Sequence, residues 1–213
     1  MTEGPSPARF ISLEGGEGSG KSLQAKALAA ALEKRGRKVV LTREPGGTPG
    51  AEAIRALLVT GEKDRWTPLS EALLFSAARA DHLARKIRPA LEAGQWVICD
   101  RFADSTRAYQ GAAHGLTADV IGTLEALTLA GTKPDLTLLI DVPVAIGLAR
   151  AAARGGHEAR YEAFDTAFHE RLRQAYLAIA KAEPERCVVI DGTKAPDAVT
   201  ADIMRVVEAR FAL

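Results

Sequence analysis

Gly15-Gly16-Glu17-Gly18-Ser19-Gly20-Lys21-Ser22 stands between the apolar run Phe10-Ile11-Ser12-Leu13 and an Ala/Leu/Lys-rich stretch from Lys21 to Arg35. It fills every fixed position of G-x-x-x-x-G-K-[ST], in the strand-then-helix context the motif requires. Glycines at these spacings let the backbone curl so that amide N–H groups point inward at an anion. The helix opening near Lys21 adds its positive end. Lys21 is then placed to reach β/γ-phosphate oxygens and the Ser22 hydroxyl to ligate Mg²⁺, with Leu23 next on the same helix. A chance Gly-rich turn is the bland alternative, and a complete motif in this context argues against it. The motif establishes nucleoside triphosphate binding and leaves GTPase, motor, transporter ATPase and small-molecule kinase open.

Working outward, four more apolar runs follow: Lys38 to Thr42, Gln95 to Cys99, Leu136 to Ile140 and Arg186 to Ile190. Helical patterns separate them, at Pro68 to Ala93, Thr117 to Ala130, Val144 to Ala153, Tyr161 to Ala182 and Pro196 to Phe211. Pro89 inside the first of these predicts a kink or break. Strands spaced by helices, apolar without alternation, predict a parallel sheet of about five strands covered on both faces, a three-layer α/β fold. With 213 residues, no repeat and no low-complexity linker, one domain over 1–213 is expected. A net charge of +1 without long like-charged runs argues against a nucleic-acid or membrane surface, and no apolar stretch reaches bilayer length. Met1 to Arg9 reads as a short disordered leader rather than a signal peptide. Cys99 and Cys187 read as unlinked buried thiols, which with the absence of targeting features points to the cytoplasm.

Ligands of open parallel sheets gather beyond the carboxyl ends of the strands. There the sequence places Glu14, then Thr42-Arg43-Glu44-Pro45-Gly46-Gly47-Thr48, then Asp100-Arg101-Phe102, then Asp141, then Asp191-Gly192-Thr193-Lys194. Lys21, Arg43 and Arg101 suit phosphate groups. Asp100, ending an apolar strand, suits the acid that holds Mg²⁺ through water, unless it merely pairs with Arg101. Phe75 and Arg79, four apart on one helix, could grip a planar base; the plainer alternative is a core ring beside a snorkelling arginine. Thr132-Lys133-Pro134-Asp135 imitates the guanine-reading motif of GTPases but precedes its strand, so it is expected at the opposite edge as a turn. Arg150, Arg154 and Arg160 flank Gly155-Gly156-His157, which predicts either a lid over about 150–161 or a solvated basic loop. His157 reads as a surface residue.

Together these motifs resemble the thymidylate kinase family from end to end. The resemblance is carried by Glu14-Gly15 into the phosphate loop, Thr42 to Thr48, Asp100-Arg101-Phe102, Ser105 to Gln110 and Arg160-Tyr161-Glu162. It implies the P-loop nucleoside-monophosphate-kinase fold, and transfer of the γ-phosphoryl of Mg-ATP to dTMP in dTTP synthesis. Phe75 would stack on thymine and Arg79 bond its O4. Arg43, Arg55 and Arg101 would hold or approach the acceptor phosphate, Thr106 and Gln110 would line the base pocket, and Ser105 would contact the acceptor. Tyr109 would crowd a ribose 2′-hydroxyl, and Glu14 would meet the 3′-hydroxyl or the metal. Arg154 with the Thr193 and Lys194 turn would border adenine. Gly16-Glu17-Gly18 carries no basic residue, which resembles the branch whose lid supplies the catalytic arginine, here Arg150, Arg154 or Arg160. The family also implies a homodimer through Leu69 to Ile87 and Thr117 to Leu129. A kinase acting on uridine or cytidine monophosphate and a non-transferring regulatory module are the rival readings.

Overall fold

Five strands each end on a charged residue: β1 (Phe10–Glu14), β2 (Val39–Arg43), β3 (Trp96–Asp100), β4 (Leu136–Asp141) and β5 (Cys187–Asp191). In the computed structural model, which describes residues 7–62, 64–154, 160–161 and 163–213, they form one sheet in the order β2-β3-β1-β4-β5. All four pairings are parallel, so the five charged ends share a single edge. The order reverses direction at β1, and the phosphate loop leaves its end there, at the topological switch point where such sheets bind ligands.

Nine helices are seen among the described residues: α1 (Lys21–Lys34), α2 (Pro49–Val59), α3 (Pro68–His82), α4 (Arg88–Glu92), α5 (Ala103–Thr106), α6 (Ala118–Leu129), α7 (Val144–Arg154), α8 (Thr166–Ala182) and α9 (Pro196–Phe211). Alternate strand residues face opposite layers. Ile11, Leu13, Ile98, Leu136 and Leu138 pack on α1 and α9 through Leu28, Leu32, Ile203 and Val207. On the other face, Phe10, Val97 and Cys99 meet Leu83, Ile87 and Phe102, while Leu139 meets Phe168 and Leu172 of α8. A buried polar seam divides that second face. Ser12 and Thr137 share a 2.8 Å bond across β1 and β4, and Arg186 donates to both Thr137 and Asp104. The three-layer α/β expectation is met, and the two free cysteines are buried as expected.

The differences are local and have local causes. The α3 pattern runs on through a π-helical turn at Leu83–Ile87 into α4, so the chain widens by one residue just before Pro89 instead of breaking there. The α8 helix starts at Thr166 rather than Tyr161 because Asp165 caps it, accepting from the Phe168 N–H at 2.7 Å. Two helical stretches were not expected, α2 and the run from α5 through a π-helical segment, Arg107–Ala113. Asp135 of the false GTPase motif bonds Phe10 in both directions (2.7 and 2.8 Å), pinning the start of β1 at the edge away from the loop. Residues 1–6, 63, 155–159 with His157, and Glu162 lie outside the described residues, as does the Arg154 side chain.

Candidate active site

The loop after β1 is shaped by contacts that only glycine permits. Gly18 holds φ +64°, and a β-carbon there would stand 1.9 Å from the Gly147 carbonyl of α7. Gly20 caps α1 at φ 93°, turning the chain so that the helix begins at Lys21 with its N–H groups free. The Lys21 ammonium folds back on the loop, donating to the Gly16 carbonyl at 2.7 Å and to Ser19 at 3.1 Å. Burial, and next the Arg101 charge, push its pKa down to about 8 against the pull of Glu17, Asp100 and Glu14. The Ser22 hydroxyl donates directly to Asp100. These two oxygens and Lys21 therefore meet, although Ser22 and Asp100 are 78 residues apart in sequence.

Arg101 sits at the centre. It holds φ +70°, and its backbone N–H donates to Leu13 at 2.9 Å, so it turns off β3 directly beneath the loop. Its guanidinium donates to the Gly15 carbonyl (3.1 Å) and to Glu17 (3.0 Å), and lies over the Tyr109 ring. Glu17 also accepts from the Tyr109 hydroxyl at 2.6 Å. Burial raises the Glu17 pKa, but Arg101, Lys21 and Tyr109 outweigh it and hold the carboxyl at about 2. The P-loop acid, the β3 arginine and the tyrosine thus form one clamp.

A cleft of about 730 Å³ opens along this edge. At one end it is lined by Lys21, Ser22, Leu23 and Asp100; Arg150 also lines the cleft and donates to the Gly192 carbonyl at 2.8 Å. At the middle stand Arg43, Arg55 and Arg101. Arg43 pairs with Glu52 at 3.0 Å, and Arg55 donates to the Pro45 carbonyl at 2.6 Å. At the far end lie Phe75, Ser105, Thr106, Tyr109, Gln110 and Tyr161. The loop residues Gly15, Gly16 and Ser19 back onto the end of β4 instead of the cleft. Thr193 is bonded to Asp191 and Lys194 to Asp202, on the side where Arg150 reaches over.

Three expected site residues are placed elsewhere. Glu14 is fully buried and does not line the cleft. It accepts from the Phe102 N–H (2.7 Å), Ser105 (2.6 Å) and Tyr176 (3.2 Å), which removes it from the metal set. Burial, then the neighbouring Asp104 charge, push its pKa up to about 7. Arg79 is 2% exposed and stands behind the wall, donating to Glu44 at 2.7 Å and to the Phe102 carbonyl and Thr106 at 3.1 Å. Arg160 does not lie over the phosphate loop: its guanidinium donates to the Leu58 and Glu62 carbonyls (3.1 Å each) and pairs with Glu71. A buried carboxylate in the first turn of α3 captures it. Glu71, Tyr176 and His82, which bridges Thr42 and Glu44, were missed. Glu71 reads in sequence as an ordinary first-turn helix acid.

A phosphate loop, a β3 Asp-Arg pair and a second, neutral pocket in one cleft define a P-loop kinase with a site for an acceptor beside its nucleotide. The family model for thymidylate kinase matches residues 13–203. Over 204 residues the chain is 59% identical to the thymidylate kinase of Caulobacter vibrioides, covering 96% of this chain and 98% of that one. It is 57% identical to the thymidylate kinase of Rhizorhabdus wittichii, with 95% and 97% covered. The crystal structure of thymidylate kinase from Ehrlichia chaffeensis superposes with a TM-score of 0.79 at 35% identity, covering 94% and 99% of the two chains. The chain belongs to the thymidylate kinase family.

Proposed function

We infer that the chain phosphorylates dTMP to dTDP with the γ-phosphoryl of Mg-ATP, a step of dTTP synthesis. The observation that carries this reading is a single cleft with the phosphate loop at one end, an uncharged aromatic and amide pocket at the other, and Arg43, Arg55 and Arg101 between them. ATP lies with its phosphates in the loop and its base toward Arg150 and the 191–194 turn. dTMP lies with its base beside Phe75 and Gln110 and its phosphate at the central arginines.

The attacking phosphate oxygen is already anionic, so no strong general base is needed. Catalysis is alignment plus stabilisation of charge on the transferred group by Lys21, Arg101 and an arginine of the 150–161 lid. Arg150 and Arg154 are the lid candidates, since Arg160 is held by Glu71. Ser22 and Asp100, joined by a hydrogen bond, supply the hydroxyl and carboxylate that suit Mg²⁺ with phosphate and water as its remaining ligands. Bound there, the metal would neutralise phosphate charge. Exposed Leu69 and Leu73 on α3 and Leu127 on α6, the last 75% exposed, support a homodimer through those helices. No helix among the described residues is long and apolar enough to cross a membrane, which fits a cytoplasmic enzyme.

ADP release with Mg-ATP across a panel of nucleoside monophosphates tests the reading. Release driven chiefly by dTMP is expected. Release driven by another monophosphate would keep the kinase and overturn the base pocket, and ATP binding without acceptor-dependent release would favour a regulatory module.

A further inference from the structure

Gln110 borders the cleft with an amide that can face either way. Presenting its oxygen, it accepts from an N–H; presenting its nitrogen, it donates. Its backbone does not decide between the two. The decision falls to Glu71, which is 1% exposed and accepts from Gln110 Nε2 at 2.8 Å through Oε2. The other oxygen of Glu71 is taken by Arg160. A carboxylate paired with a guanidinium only accepts, so the Gln110 nitrogen must face Glu71 and its oxygen must face away. Gln110 itself is 1% exposed, so an unmatched group there is costly to leave. Thr106, the neighbouring polar group in the cleft, is a hydroxyl that rotates to serve either polarity.

We propose that Glu71 is a specificity-determining positioning residue. By fixing the Gln110 amide oxygen-first it selects pyrimidines that carry a ring N3–H, thymine and uracil, and rejects cytosine, whose N3 is a bare acceptor. This deepens the dTMP kinase reading and rests on it, since it needs the base to lie against Gln110. Arg160 has a defined part. It holds the second Glu71 oxygen, so whatever stands at position 71 must turn an acceptor toward it.

That arrangement makes Glu71→Gln a directed inversion rather than a simple loss. Arg160 keeps the new amide oxygen, the new NH2 turns to Gln110, and Gln110 answers with its oxygen and offers its own NH2 to the cleft. Catalytic efficiency with dTMP and dCMP, measured by coupled ADP release, reads this out. In E71Q the dTMP efficiency is expected to fall and the dCMP efficiency to rise above wild type, narrowing the preference by about tenfold or more. Loss of rigidity alone lowers both, so a dCMP efficiency that does not rise overturns the proposal. Arg160→Lys keeps a cation on Glu71, and with it an acceptor-only carboxylate toward Gln110, so its dTMP-to-dCMP ratio should match wild type whatever happens to its turnover. A ratio narrowed as far as in E71Q would assign the effect to loosening and overturn the proposal. Should E71Q fail to fold, Gln110→Met decides: removing the amide must narrow the ratio about tenfold, and an unchanged ratio overturns the assignment. A wild type that accepts dTMP and dCMP equally would remove the function reading along with this inference. A wild-type preference that E71Q leaves intact removes the inference alone.

Discussion

The two ends of the cleft handle charge in opposite ways. At the phosphate end Lys21 rests on a loop carbonyl and Ser22 on Asp100, and at the middle Arg101 rests on Glu17 and a second carbonyl. These are internal ligands that an incoming phosphate can replace, and the cations line the cavity. At the base end the charged groups are spent on one another: Arg79 on Glu44, which itself lines the cleft, and Arg160 on Glu71 behind it, each pair almost wholly buried. Rings, hydroxyls and an amide face the cavity there, and the one carboxylate among them, Glu44, is paired with Arg79. A triphosphate is recognised by exchangeable charge, whereas a neutral base is recognised by dipoles whose direction is fixed from behind.

The largest effect should come from removing the exchangeable charge. Lys21→Ala and Arg101→Ala are each expected to lower kcat by about a thousandfold, the scale of losing one preorganised contact to developing phosphoryl charge, while thermal unfolding shows both still fold. The comparison sharpens if dTMP affinity is measured alongside by calorimetry. Lys21→Ala should leave it within about threefold of wild type, since Lys21 serves only the other end. Near-normal turnover in either variant would remove that residue from the mechanism. A collapse of dTMP binding in Lys21→Ala would break the division between the ends.

The same division explains what could be read in the sequence. The phosphate end is built by contiguous residues under a local rule, so Gly15 to Ser22 declared the loop, and Asp100 and Arg101 followed from their place at a strand end. The base end is built across long separations: Glu71 meets Gln110 across 39 residues and Arg160 across 89. No spacing rule links them, so the sequence groups Arg160 with its lid neighbours and leaves Glu71 an ordinary first-turn helix acid. Glu14 was misplaced for a related reason. Its position at a strand end was legible, but Tyr176, which helps to bury it, lies 162 residues away. Not every miss was inevitable. Thr48 caps α2 by accepting from the Ala51 N–H, with Pro49 at the first turn, and that Thr-Pro pair is a helix start visible in sequence.

Glu14 and Glu17 carry the contrast down to single groups three residues apart. Glu14, enclosed with Asp104, has its pKa raised from 4.5 to about 7; Glu17, against Arg101 and Lys21, has its own lowered to about 2. For Glu14 the folded state binds the proton more tightly than the unfolded chain does. Its favourable contribution is therefore complete below pH 4.5 and is lost as pH rises through about 7. For Glu17 the order reverses: the contribution is present above 4.5 and is lost as pH falls toward 2. Denaturant unfolding of wild type and Glu14→Gln from pH 5 to 8 should show wild type losing about 2 kcal/mol relative to the variant. Parallel curves would mean that Glu14 is not held protonated, and the contrast between the two carboxyls would fail.

Tyr109 lies where the two regimes meet, and its substitution should have the smallest effect. Its ring lines the cleft and lies under Arg101, while its hydroxyl serves the charged end by donating to Glu17 at 2.6 Å. Tyr109→Phe keeps the ring and deletes the donor, and Glu17 retains its Arg101 partner. Losing one hydrogen bond to a still-paired carboxylate costs about 1 kcal/mol, so kcat/KM for dTMP should fall about fivefold. If the ring is what crowds a ribose 2′-hydroxyl, the preference for dTMP over its ribose counterpart should survive in the Phe variant and narrow in Tyr109→Ala. A preference lost already in Tyr109→Phe would move the sugar discrimination from the ring to the hydroxyl, and with it from the neutral end of the cleft to the clamp on Glu17. A preference kept in both variants would remove Tyr109 from sugar recognition and leave it as the brace that holds Arg101 and Glu17 in register.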